Sequence, residues 1–164
     1  MNIFVLDLDP VRAAQYQHDR HVVKMVLESA QILCTVAHIY GRTFPGQYKP
    51  THARHPCVLW AGAATANWQW LYGHALALSN EYTHRYGKQH RSRAVINAAW
   101  EPLLFCRDIP NESCTPFAQA MPEQYRQDDA VSAYRAYYIG EKIANARWTR
   151  RAVPAWITEK EEVV

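Results

Sequence analysis

The stretch that decides the fold is QHDRHVVKMVLESAQILCT, residues 17–35. On a helix, six polar side chains of this stretch fall within roughly 80° of each other, while most of the remaining circumference is apolar. They are Gln17, His21, Lys24, Glu28, Gln31 and Thr35. A solvated helix face is usually a broader mixture of charges, so this narrow stripe on a mostly buried helix predicts a lined cleft.

The rest of the chain also contains residues typical of helix starts and helix ends. Asp9 and Pro10 suit the N-cap and first position of a helix, and Gly87 suits a helix end. No repeat or internal linker divides residues 1–164, so the sequence predicts a mainly α fold: one compact domain of about four to five helices. The expected elements are a helix from Pro10 to about His38 or Tyr40, a second from Pro56 to Gly87, a shorter one over 92–100, an irregular connector over 102–122, and a last helix capped by Asp128 and running to about Arg147.

Composition bounds the class of protein. The chain has 164 residues, of which 49% are hydrophobic and 12% aromatic, enough for one core. It has no apolar run of about 18 residues, and Asp7 and Asp9 interrupt any signal-peptide core, so a cytoplasmic protein with no membrane partner is expected. The cysteines form no CxxC pair, which favours reduced thiols. The net charge of +3 is mildly basic, but residues 84–93 concentrate cations, which favours a polyanionic partner.

The first candidate constellation is His21, Lys24 and Glu28. At this spacing the three side chains project from successive turns toward one pocket, where a lysine or imidazole can act as base or nucleophile and a carboxylate can stabilise a developing cation. The alternative is a surface Lys24–Glu28 pair, worth only about 0.3 to 0.5 kcal/mol.

The second helix carries a similar stripe. Asn67, His74, Glu81 and Arg85 fall within roughly 40° of one another. We expect this stripe to face the first across one pocket, which adds His74 and Glu81 to the catalytic candidates. The alternative is a core histidine satisfied by a neighbour, beside a routine Glu81–Arg85 pair.

Basic and aromatic side chains suggest how a nucleic acid could bind. The loop over 48–56 sets several basic side chains before a helix N-terminus, where anions are attracted; the alternative is a rigid proline loop with solvated charges. Two His-x-x-His spacings occur, but nothing completes a ligand set, so no metal or other cofactor is expected. The candidate DNA contacts are Lys49, His52, Arg54, His55, Arg85, Lys88 and Arg91. The candidate base-stacking residues, which could instead fill the core, are Trp60, Trp70, Tyr134 and Tyr138.

Several stretches carry a family resemblance over nearly the whole chain. They are MNIFVLD (1–7), HVVKM (21–25), YKPTH (48–52), HPC (55–57), RYGK (85–88) and PFAQAMP (116–122). The chain resembles small bacteriophage-encoded proteins similar to the pyrimidine-dimer DNA glycosylase (endonuclease V), an all-helical repair enzyme that flips nucleotides. This resemblance implies an endonuclease V-like fold, DNA as partner and an N-terminal amine as nucleophile. It also implies a catalytic glutamate on the first long helix, a role that would pass to Glu28.

One position departs from that pattern. Residue 2 is asparagine, a large side chain that favours retention of Met1. The available amines are therefore the Met1 terminus and Lys24, and covalent trapping is expected to be weak or absent.

These observations leave three functions in competition. The leading one is a DNA-binding phage enzyme that acts on an extruded pyrimidine nucleotide by glycosylase or lyase chemistry. The alternative is a transferase that attaches an amino acid, its co-substrate, to an activated hydroxymethyl-pyrimidine base in phage DNA, with His21, Lys24 and Arg85 assisting. The second alternative is a non-catalytic DNA-binding phage protein.

Overall fold

A computed structural model describes residues 1–100 and 108–158 of the chain. Within these ranges the regular structure is entirely helical, which confirms the mainly α prediction. The helices are more numerous and shorter than predicted. They are α1 (Pro10–Tyr16), α2 (Asp19–Ile39), α3 (Pro56–Ala63), α4 (Thr65–Tyr86), α5 (Arg93–Ala98), a 3₁₀ turn (Glu123–Tyr125), α6 (Ala130–Glu141) and α7 (Ala155–Thr158).

The predicted first helix is broken into α1 and α2. His18 has an extended backbone, and its Nδ1 accepts a hydrogen bond from the backbone N–H of His21 at 3.3 Å, so it caps α2. The His18 N–H donates to the hydroxyl of Tyr138 at 3.0 Å. Gln17 therefore lies outside α2, and the polar stripe of that helix begins at His21 and ends at the buried Thr35.

The predicted second helix is also broken, into α3 and α4. Ala64 is extended, with φ −150° and ψ 146°, and the N–H of Thr65 donates to the carbonyl of Asn111 at 2.8 Å. Gly87 ends α4 in the left-handed conformation, with φ +68°, as the sequence predicted.

The last main helix is shorter than predicted. Asp129, rather than Asp128, caps α6 by accepting a hydrogen bond from the N–H of Ser132 at 2.8 Å. The helix ends at Glu141, and the chain then runs irregularly to residue 154. The predicted extension to Arg147 is wrong because residues 147–151 bind instead to α2 and α4.

The helix with the most packing partners is α4. It packs on α1, α2, α3 and α5, and α2 also packs on α3 and α5. The chain before α1 is also buried, because the side chains of residues 3–6 lie in the core. By length and composition alone α2 could span a membrane, but 61% of its apolar window is buried in the fold, as expected of a core helix.

Candidate active site

Three nitrogen groups lie around the carboxylate of Glu28. Its Oε2 accepts a hydrogen bond from the backbone N–H of Asn2 at 3.1 Å and lies 3.7 Å from the terminal amine of Met1. Its Oε1 lies 3.2 Å from the Nζ of Lys24, one turn earlier on α2. The carboxylate is only 12% exposed, whereas the Lys24 side chain is 65% exposed. A shielded carboxylate beside two amines is suited to proton transfer and to stabilising a cation.

The N-terminal segment is fixed by the side chain of Asn2. Its Oδ1 accepts hydrogen bonds from the N–H groups of Ile3 and Phe4 at 2.7 and 3.2 Å, and its Nδ2 donates to the carbonyl of Ala120 at 2.8 Å. Phe4 adopts a left-handed φ of +37°, which these bonds hold in place. The Asn2 side chain therefore helps to position the terminus.

His55 borders the same carboxylate. Burial lowers the pKa of His55, the positive terminal amine and His52 lower it further, and Glu28 opposes the shift. Its Nδ1 accepts a hydrogen bond from the N–H of Cys57 at 3.1 Å, so the neutral ring carries its proton on Nε2.

Two basic loops flank α2. The loop over 48–55 and the loop over 87–92 are joined by a 3.0 Å hydrogen bond between the hydroxyls of Tyr48 and Ser92. His90 reaches the backbone of Val23, on the exposed side of α2. Of the predicted DNA contacts, the exposed ones on these loops are Lys49, His52, Arg54, Lys88 and Arg91, and His55 is half-buried.

An open cavity is lined in part by residues next in sequence to Ala120 and His55, which lie near the N-terminal segment. Its volume is about 590 Å³. Gln119, one of its lining residues, immediately precedes the Ala120 carbonyl that binds Asn2, and Pro56 follows His55. The lining residues are Pro56, Phe117, Gln119, Arg126, Gln127 and Asp128. Sequence patterns did not single out this cavity, because the segment over 117–128 is irregular and carries no helical periodicity.

His74 and Glu81 do not converge with Glu28, so the expected single pocket is not formed. His74 is fully buried: its Nδ1 donates to the carbonyl of Pro10 at 2.9 Å and its Nε2 contacts the Gln17 amide at 3.2 Å. Burial lowers its pKa to about 4.

Glu81 is buried between two arginines. Asn67 binds the Trp60 carbonyl and Thr115. The polar stripe of α4 is satisfied inside the fold rather than lining a cleft.

Arg85 is also internal, which corrects its assignment as a DNA contact. Its side chain is 0% exposed. Its Nε donates to Glu81 at 2.7 Å, its NH1 to Asp19 at 2.9 Å and its NH2 to the Gln15 carbonyl at 3.0 Å. Arg151 binds the same Glu81 carboxylate, with its shortest contact at 2.9 Å. These bonds connect α1, α2, α4 and the C-terminal segment, and they engage all three guanidinium nitrogens of Arg85 inside the fold.

Three of the four predicted stacking residues are buried in the core: Trp60, Tyr134 and Tyr138. The Tyr134 hydroxyl donates to the Ala118 carbonyl at 2.7 Å and so supports the segment that holds Asn2. Trp70 is half-buried, with its ring 4.9 Å from that of His74 and its Nε1 bound to the Leu8 carbonyl. The three buried rings lie inside the fold and do not offer a free face to a base.

Among the described residues, no group of three or more histidine, cysteine, aspartate or glutamate side chains could hold a metal ion. The groups close to the Glu28 carboxylate are the Met1 and Lys24 amines and the Asn2 N–H, with the His55 imidazole nearby.

Comparison with known proteins gives this geometry its context. A family model described as pyrimidine dimer DNA glycosylase matches residues 1–94, more than half of the 164-residue chain. The chain belongs to this family. The match covers Glu28, the N-terminal segment and both basic loops, so the family assignment rests on the part of the chain that builds the site. No curated protein and no solved structure matched the chain.

Proposed function

We propose that the protein is a DNA glycosylase with lyase activity that acts on pyrimidine dimers, with the N-terminal amine as nucleophile and Glu28 as the essential carboxylate. The observation that carries this proposal is the contact of Glu28 Oε2 with the Met1 amine and the Asn2 N–H, at 3.7 and 3.1 Å. DNA is the partner that the family implies, and the enzyme would meet it in the cytoplasm.

The proposed reaction follows from those atoms. The amine nitrogen attacks C1′ of the damaged nucleotide, the glycosidic bond breaks, and the base leaves with the electron pair and takes up a proton. Glu28 stabilises the positive charge that develops on the sugar and accepts a proton from the amine. The ring-opened sugar is left as an imine on the amine nitrogen. Loss of a proton from C2′ then breaks the C3′–O bond, and water hydrolyses the imine.

The N-terminal amine is a better candidate than Lys24. The Lys24 side chain is 65% exposed, whereas that of Met1 is 4% exposed, so the terminal amine is the one enclosed together with the carboxylate. Retention of Met1 leaves its amine beside Glu28, and removal of Met1 would make the Asn2 nitrogen, at 3.1 Å, the terminal amine. The site therefore has an α-amine within reach of Glu28 in both forms.

The remaining predicted residues take supporting roles in this proposal. The exposed cations of the two loops bind DNA phosphates, and the cavity at Phe117 receives an extruded nucleotide. Phe117 would supply the aromatic face that the buried Trp60, Tyr134 and Tyr138 cannot. Stacking on an aromatic side chain contributes about 1 to 3 kcal/mol per base, enough to offset much of the cost of extrusion.

Two assays separate this function from its rivals. A duplex with one cyclobutane pyrimidine dimer should be cut at the dimer, while the undamaged duplex stays intact. DNA that contains phosphorylated hydroxymethyl-uracil should gain no amino acid, as read by nucleoside mass spectrometry. Tight binding of dimer DNA without cleavage would contradict the proposal and favour a binding protein, and a gain in base mass would favour the transferase.

A further inference from the structure

A second cavity, of about 420 Å³, lies where the start of α2 meets the end of α6. Among the residues that line it, His21 precedes Glu28 by two turns on α2. Seven residues at 1.5 Å each place the cavity about 10 Å along the helix from that carboxylate. The lining residues are His18, Arg20, His21, Glu141, Lys142, Ala144 and Asn145.

Positive charge predominates in this cavity. The guanidinium of Arg20 is held by the Ala144 carbonyl at 2.8 Å. The Lys142 Nζ lies 4.5 Å from the centre of the Tyr137 ring and 3.8 Å from the Glu141 carboxylate. Glu141 is the one acidic residue in the described lining. Two cations against one carboxylate disfavour a metal ion and favour an anion.

The two imidazoles have unused hydrogen-bonding capacity. His18 uses Nδ1 to accept the His21 N–H, so its neutral ring carries the proton on Nε2. The His21 ring lies between the rings of Phe4 and His18, at 4.4 and 4.1 Å. Its Nδ1 is shielded from solvent and has no hydrogen-bond partner among the described residues. His21 also lines the cavity, and because its Nδ1 is shielded, Nε2 is the ring nitrogen left for a ligand there.

We propose that this cavity binds a phosphate group, through the imidazoles of His18 and His21 and the cations of Arg20 and Lys142. A phosphate offers several acceptor oxygens and a negative charge, which match two N–H-bearing rings beside a guanidinium and an ammonium. None of these four side chains is a thiolate or a carboxylate, the anionic ligands that would favour a cation in the cavity.

Titration of the two rings agrees with this assignment. Burial and neighbouring positive charges lower the pKa of His18 to about 4 and that of His21 to about 3. The charges that lower one or both are Arg20, Lys24, Lys142 and Arg85, while Asp19 opposes them at His18. A bound anion counteracts those cations, so phosphate should raise the pKa of both rings, as read from the pH dependence of their NMR signals.

The phosphate could belong to a DNA strand or be a free ion. If the proposed function holds, a strand that runs along α2 from Glu28 would bring one of its phosphates to the cavity, because axial phosphate spacing of about 3.4 Å gives about three intervals in 10 Å. This identification of the source rests on the proposed function, whereas phosphate binding itself does not.

The first test uses inorganic phosphate and the full chain. We expect millimolar phosphate to shift the imidazole NMR signals of His18 and His21 at pH 6. Lys142→Gln and Arg20→Gln should each weaken this binding about tenfold, since each removes a charge-assisted contact. The matched control is Arg12→Gln, an exposed arginine on α1 that should leave the shifts unchanged.

The second test uses duplex DNA with a stable abasic-site analogue. If the ligand is a DNA phosphodiester, Lys142→Gln should also lower the slope of log affinity against log salt by about 0.9. A free phosphate as ligand predicts weaker phosphate binding in Lys142→Gln with an unchanged DNA slope. Imidazole signals that do not respond to phosphate in the wild type would overturn the proposal, whether or not the protein cleaves dimers. Failure to cleave dimers with intact phosphate shifts would overturn only the proposed reaction.

Discussion

At the scale of single residues, the account depends on the carboxylate of Glu28. It contacts the Met1 amine, the Asn2 N–H and the Lys24 ammonium within 4 Å, while most of its surface is shielded from water. Shielding strengthens the electrostatic effect of a carboxylate on a developing cation. The Lys24–Glu28 contact was predictable from helical spacing. Spacing could not predict the contact with the terminus, because it depends on the path of residues 1–8, which have no helical periodicity. Only the family resemblance implied that both groups belong to one site.

Glu28→Gln should therefore reduce turnover on dimer DNA by at least about 100-fold, because the amide keeps the shape but loses the charge. Circular dichroism and DNA affinity should change little. The comparison is Glu123→Gln, an exposed glutamate paired with Arg126, which should stay within about threefold of wild type. A Glu28→Gln enzyme as active as Glu123→Gln would remove Glu28 from the mechanism.

At the scale of helices and loops, buried ion pairs determine how α2, α4 and the C-terminal segment meet. Arg85 on α4 binds Asp19 at the start of α2, and Thr149 donates to Asp19 from both its N–H and its hydroxyl, at 2.9 and 2.7 Å. The sequence predicted the Glu81–Arg85 pair but placed it in a cleft. Periodicity identifies a polar face of a helix, but it cannot tell whether water or another part of the chain satisfies that face.

Arg85→Met should destabilise the protein by roughly 3 kcal/mol, because it leaves two carboxylates without their buried partner. The change should not alter the salt dependence of DNA binding at temperatures where the variant is folded. Lys88→Gln, three residues along and exposed, should show the opposite pattern: a stability change within about 0.5 kcal/mol and a shallower slope. Urea unfolding and salt titrations measure both. A shallower slope in folded Arg85→Met would restore Arg85 as a DNA contact.

The two basic loops should carry the electrostatic part of DNA binding. Neutralising Lys49 and Arg54 together, or Lys88 and Arg91 together, should lower the slope of log affinity against log salt by up to about 1.8, or about 0.9 for each DNA phosphate that the variant no longer neutralises. Fluorescence anisotropy over a range of salt concentrations, with Arg12→Gln as the control, measures this. Slopes equal to wild type in both double variants would mean that these cations are solvated charges.

The breaks between α1 and α2 and between α3 and α4 could not be predicted from the local sequence. Residues 17, 18 and 64, where the helices break, are neither proline nor glycine, the residues that most often signal a helix end. The His18 N–H bonds to Tyr138, 120 residues away, and the Thr65 N–H bonds to Asn111. These breaks depend on distant contacts, whereas the helix starts at Pro10 and Pro56 and the end at Gly87 follow local rules and were predicted.

At the scale of the whole molecule, one helical fold encloses three imidazoles that remain neutral. The all-helical class followed from the sequence because helical periodicity dominates the chain. Burial is the largest cause of the low pKa values of His18, His21 and His74, which are about 4, 3 and 4. In the unfolded chain these rings take up protons near pH 6.5. The folded state is therefore favoured above that pH and loses this advantage as the pH falls toward 4.

The free energy of unfolding should consequently decrease between pH 7 and pH 5, before most carboxylates titrate. His74→Gln, which removes one of the three rings, should make the decrease shallower, while His38→Gln, an exposed histidine on α2, should leave it unchanged. Urea unfolding at pH 7, 6 and 5 checks this. A wild-type free energy that is constant over this range would show that the rings are already protonated or accessible in the fold.

The most direct test of the central claim is borohydride trapping on dimer-containing DNA, followed by mass mapping of the modified peptide. Borohydride reduces an imine to a stable amine, so it records which nitrogen was bonded to the sugar. Intact mass of the same sample shows whether the chain begins at Met1 or Asn2. We expect a covalent adduct on the terminal α-amine, and its loss in Glu28→Gln. An adduct on Lys24, or dimer excision with no adduct at all, would contradict it.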